Sequence, residues 1–97
     1  MFLDTPALVE AQTVVRGATS CGAWISEADP EIRNINRTWV VGFLSGLASG
    51  TETNVLQGTD NPSIFLWMDN YCRKEPLSRT SAGARALYFE LKKQKGL

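Results

Sequence analysis

The chain contains no histidine among its 97 residues. That absence excludes imidazole zinc ligands, Ser-His-Asp and Cys-His catalysis, and the side chain that titrates nearest neutrality. Cysteine is nearly absent too, with two residues, too far apart for a CxxC redox motif and too few for a thiolate zinc site. No charge of one sign prevails: ten basic residues balance ten acidic ones. A phosphate-backbone binder normally carries a basic excess or stripe, so nucleic acid is not the expected partner. The one basic concentration, Lys92, Lys93 and Lys95, stands where it complements a helix C-terminus. No apolar run approaches the roughly 18–20 residues that span a bilayer. Met1-Phe2-Leu3-Asp4-Thr5-Pro6 has neither the basic start nor the long apolar stretch of a signal peptide. The chain is therefore expected to be cytosolic or to have lost a leader.

What is present fits one small globular domain. Apolar residues make up 43% and charged residues 21%, a balance that folds rather than staying disordered. The expected class is all-α, three to four helices, with residues 20–97 as one helical domain and 1–19 as an N-terminal arm. Within that arm, residues 7–13 fit a short helix or frayed turn, and Val14-Val15 a short extended piece. The apolar residues between Ser20 and Glu27 place that segment against the core. Asp29 caps the first long helix, with Pro30 and Glu31 in its first turn. Its inner stripe is read as Ile32, Ile35, Trp39, Val40, Phe43, Leu44 and Leu47, and Gly50 as its terminator. A polar connection over 51–60 follows, with one turn near Val55-Leu56. Asp60 or Asn61 then caps a central helix that Pro76 ends. Ser78 is expected to cap the last helix, whose inner line is Ser81, Ala84, Leu87, Tyr88 and Leu91. The small residues Ala82, Gly83, Ala84 and Ala86 allow close approach there.

The residues that carry chemistry are few. Cys21 and Cys72 are either free buried thiols or a disulfide. Closing a loop of about 50 residues stabilises by about 4 kcal/mol in the chain-entropy model, a large share of the ~5–15 kcal/mol typical of a domain. Gly42, Gly46 and Gly50 share one helix face, which is expected to let another helix approach closely; dimerisation through that face is the sharper alternative. Asp69 and Arg73, at i and i+4, are expected to pair. Of Trp24, Trp39 and Trp67, at least two are expected in the core. No nucleophile, base, phosphate loop or metal constellation emerges, so the chain is read as a non-enzyme without cofactor or metal.

Three segments nevertheless have a family look. Cys21-Gly22-Ala23-Trp24, then Trp39-Val40-Val41-Gly42-Phe43-Leu44-Ser45-Gly46, then Ile64-Phe65-Leu66-Trp67-Met68-Asp69-Asn70-Tyr71-Cys72-Arg73-Lys74-Glu75-Pro76-Leu77 resemble the Rap/Tai-type family of small secreted bacterial proteins, and the closing Ala84-Arg85-Ala86-Leu87-Tyr88-Phe89-Glu90-Leu91 is also similar. The match runs over about residues 20–92. The resemblance implies a periplasmic, all-helical fold with a Cys21–Cys72 bridge. It also implies a protein partner, since members named as immunity proteins neutralise type VI secretion toxins by binding them. The family is similar in character to acid-stress chaperones of the HdeA type.

Three functions are therefore weighed. An immunity-like module binds a toxin, with homodimerisation as a further option; Gly42, Gly46, Trp39, Asp69, Arg73 and the 51–60 loop are its candidate contact or packing residues. An acid-activated chaperone exploits protonation of the ten carboxylates, which moves the formal charge from zero toward +10 and favours an expanded state. An envelope housekeeping protein has no tight partner.

Overall fold

A computed structural model describes residues 13–97; the expected helix or turn over 7–13 lies, up to residue 12, outside the described residues. Four helices follow one another among the described residues: α1 Cys21–Ser26, α2 Pro30–Thr51, α3 Asn61–Lys74 and α4 Thr80–Gln94. The fold is all-α with one disulfide, Cys21–Cys72.

Local sequence sets most of the boundaries. The Ser20 side chain accepts the Ala23 N–H at 3.0 Å and so starts α1. Asp29 accepts the Glu31 N–H at 2.9 Å ahead of Pro30, and Asp60 accepts the Ser63 N–H at 2.9 Å ahead of α3. Each cap supplies an acceptor to an amide that the helix itself leaves unpaired. Pro62 occupies the second position of α3, where a missing N–H is harmless.

Two boundaries differ from expectation. Gly50 does not end α2; the helix runs on to Thr51, and Glu52 takes the left-handed conformation at φ 54°. Thr51 explains the extension. Its hydroxyl donates to Leu47 O at 2.7 Å and also meets the Tyr88 hydroxyl of α4 at 2.7 Å, so the last turn is fastened across the domain. Ser78 is not the cap of α4, which begins after Arg79. Residues 78–80 are instead engaged by the chain entering α1. Cys21 N–H donates to Ser78 O and Thr80 N–H to Thr19 O, both at 2.9 Å. The buried Thr80 hydroxyl donates to Thr19 O at 3.1 Å.

The core is Trp24 with the disulfide, Val40 and Leu44 of α2, Ile64 and Met68 of α3, and Ala84, Leu87, Tyr88 and Leu91 of α4. Val55 is fully buried and pins the 53–60 connection to this core. Burying a side chain of that size contributes about 1.5–3 kcal/mol. The close approach of α3 and α4 falls at Gly83, where an added Cβ would lie 2.7 Å from the Tyr71 ring and 2.8 Å from Met68 Cε. One tryptophan, Trp24, is buried; Trp39 and Trp67 lie half-buried against the core.

The inner stripe of α2 needs correction. Ile32 and Ile35 are exposed, at 43% and 64%. The buried Val40 and Leu44 continue toward the N-terminus, at helical spacing, through Arg37 and Arg33. That line thus runs out of the core through the half-buried Arg37 to the exposed Arg33.

Candidate functional site

The site is assembled around the disulfide. Cys21, first residue of α1, and Cys72, near the end of α3, are fully buried with Cα atoms 4.8 Å apart. One helical turn from each cysteine stands a second link between the same helices: the Trp24 indole N–H donates to Asp69 Oδ1 at 2.7 Å. A short helix of six residues has little stability of its own,. Bridge and hydrogen bond together hold α1 on α3.

Asp69 is therefore engaged by Trp24, and Arg73 turns to Asn70, donating to its Oδ1 at 3.3 Å. The expected Asp69–Arg73 pair gives way to these two bonds because the buried indole needs an acceptor and Asp69 is within its reach. Both residues nonetheless remain side by side in the lining of one notch of about 120 Å³, with Trp24, Ile25, Arg33, Asn36 and Arg37. Three arginines and one carboxylate are among its lining residues, a formal charge of +2.

The arginines are held differently. Arg37 lies over the Phe65 ring of α3, 5.0 Å from its centroid, a cation–π contact that fixes its plane. Arg33 stands one turn before it on α2, so the two are like-charged neighbours that repel by a few tenths of a kcal/mol. Arg33 also lies close to the helix N-terminus, where the dipole favours negative charge. Among the described residues, neither Arg33 nor Arg37 donates a side-chain hydrogen bond. The nearby acids are engaged in local turns: Glu27 Oε2 accepts the Asp29 N–H at 3.2 Å, and Asp29 Oδ1 the Glu31 N–H at 2.9 Å.

The other anticipated residues lie elsewhere. Gly42, Gly46 and Gly50 are exposed, and a Cβ on any of them would meet nothing within 4 Å. Among the described residues no helix packs closely on that face, contrary to expectation; the glycine at a close helix–helix approach is Gly83. Trp39 stacks on Phe43 at 5.0 Å and donates its indole N–H to Arg16 O at 2.7 Å. Gly17 passes over the indole at φ 91°, with room for no side chain, so Trp39 anchors the arm entering α1. The 51–60 loop forms a separate shallow groove with the end of α2, lined by Ser45, Ala48, Ser49, Glu52, Thr53, Asn54 and Leu56.

Among the described residues no helix is long and apolar enough to cross a membrane, and no group of three or more acidic or cysteine side chains is placed to hold a metal. Comparison with protein-family models, with curated proteins and with solved structures finds no match.

The notch was missed in the sequence because arginines on a long helix read as its solvated face. The available signal was their spacing: Arg33, Arg37, Val40 and Leu44 follow one another by four, three and four, which puts them on one line.

Proposed function

We propose that this chain is a small binding protein of an oxidising compartment outside the cytoplasm, an immunity-like relative of the Rap/Tai-type proteins that neutralises a secreted toxin by covering it. Its action is occlusion rather than catalysis, and the periplasm is the compartment this reading implies. The observation that supports it is the double link between the segments that carry the resemblance. Cys21-Gly22-Ala23-Trp24 and Trp67 through Cys72 are joined by both the disulfide and the Trp24–Asp69 bond. Residues that recur together in a motif are accounted for when they build one scaffold, and a disulfide is favoured where thiols are kept oxidised. A stapled four-helix scaffold keeps its binding surface preorganised, which lowers the entropic cost of association.

The test is affinity capture. A tagged form exported to the periplasm of the native host is purified at neutral pH, and retained proteins are identified by mass spectrometry. One secreted protein retained in stoichiometric amount is the expected result. A bait that returns empty contradicts the reading, and suppression of client aggregation at pH 2–3 then becomes the question for the acid-chaperone alternative.

A further inference from the structure

We propose that the notch between α1, α2 and α3 is a carboxylate-recognition site that receives an acidic segment of the protein partner. This rests on the reading of the chain as a protein-binding module and adds where, and by what chemistry, the partner is held.

Three observations converge. The half-buried Arg37 and the exposed Arg33 extend the Val40–Leu44 side of α2 at helical spacing out of the core and into the lining of the notch,. Arg73 brings a third cation from α3 into the same lining, and the one acid there, Asp69, already accepts the Trp24 indole. Among the described residues no ion pair answers the remaining positive charge. Finally, Arg37 is oriented by the Phe65 ring and Trp24 forms a wall beside it, so part of the site is fixed before a ligand arrives.

Guanidinium forks match carboxylate oxygens two by two, and an incoming carboxylate pair relieves the Arg33–Arg37 repulsion. Ile25, 43% exposed, lines the same notch and supplies apolar contact to the stem of a glutamate. A nucleic-acid backbone fits poorly, because three arginines in one small notch do not form a stripe and the chain as a whole is neutral,. The matching partner surface presents two or more clustered Asp or Glu side chains.

The test needs no toxin. The full chain, labelled with nitrogen-15, is titrated at low salt with a capped peptide of four glutamates, its four-glutamine counterpart and inorganic phosphate. The glutamate peptide is expected to shift the Trp24 indole signal and the side-chain Nε signals of Arg33, Arg37 and Arg73, saturably, while the glutamine peptide does not. The variant Arg33→Gln/Arg37→Gln/Arg73→Gln is expected to bind at least tenfold more weakly. Lys92→Gln/Lys93→Gln/Lys95→Gln, which removes the same charge elsewhere, is expected to stay within twofold of the unaltered chain. Equal losses in both variants, or none in either, overturn the proposal, as does saturation by phosphate at lower concentration than by the glutamate peptide. Failure of this site is separable from failure of the proposed function. A captured toxin whose affinity is indifferent to the three arginines removes the notch alone, whereas peptide binding at the notch without any captured toxin removes the toxin reading alone.

Discussion

The indole N–H of Trp24 and Oδ1 of Asp69 are 2.7 Å apart although 45 positions separate them in sequence. They sit one turn from the cysteines that join the same two helices. The hydrogen bond lies at the junction of scaffold and notch, since both residues also line the arginine site.

Asp69 can be probed for both roles. Asp69→Ala leaves the largely buried indole without its acceptor, and hydrogen bonds to charged groups are worth ~1.5–3 kcal/mol when buried. With Asp69 half-exposed, about 1 kcal/mol of stability is expected to be lost. Asp69→Asn keeps an acceptor and removes the one negative charge of the notch, so it is expected to retain most of that stability and to tighten binding of the glutamate peptide. Denaturant unfolding followed by tryptophan fluorescence, with peptide titration alongside, separates the two.

Opening the disulfide should cost more than any other single change. Cys21→Ser/Cys72→Ser is expected to lose about 2–5 kcal/mol, with α1 released first because its remaining hold is a few hydrogen bonds: Trp24 to Asp69, the residue 21 amide to Ser78, and the Thr19–Thr80 contacts. Hydrogen exchange read at the amides of 21–26 checks this. Loss of protection spread evenly over all four helices contradicts it.

Glycine to alanine has opposite effects at two positions. Gly46→Ala meets open space and is expected to gain up to about 1 kcal/mol from helix propensity. Gly83→Ala drives a Cβ into Tyr71 and Met68; overpacking costs about 1–3 kcal/mol. The net is a loss of about 1 kcal/mol after the propensity gain is subtracted. Urea denaturation midpoints read both.

Acid should loosen the start of α3. Hydrogen bonds from Ser63, side chain first and backbone N–H second, hold the Asp60 carboxyl below its usual value of 3.8. A depressed carboxyl contributes stability that is complete above the unfolded value and disappears as pH falls through the folded one. Asp60→Asn, which caps without titrating, is therefore expected to show a shallower loss of stability between pH 5 and pH 2 than the unaltered chain. Parallel curves contradict the assignment.

The long helices were legible because their starts are written locally: Asp29-Pro30 and Asp60-Asn61-Pro62 need only neighbours two or three residues away. The start of α4 was not, since Ser78 and Thr80 are claimed by Cys21 and Thr19 from the far end of the chain. Trp24–Asp69 is likewise a contact between segments with no local sign of each other. Ile32 and Ile35 misled because apolar residues on a flank of α2 give the same spacing as a core stripe, and the arginines that line the notch look like solvated charge. The Gly42–Gly46 face reads as packed because small residues have that use between helices, yet none of the described residues covers it. The core line Ala84, Leu87, Tyr88 and Leu91 of α4 followed from periodicity alone.

The most direct measurement of the central claim is growth of cells that export the captured partner to the periplasm, with and without this chain exported beside it. The proposed function predicts that the partner alone arrests growth and that co-export restores it in proportion to complex formed. Arrest that persists despite a folded, oxidised and abundant chain, or a partner that harms nothing on its own, would contradict it.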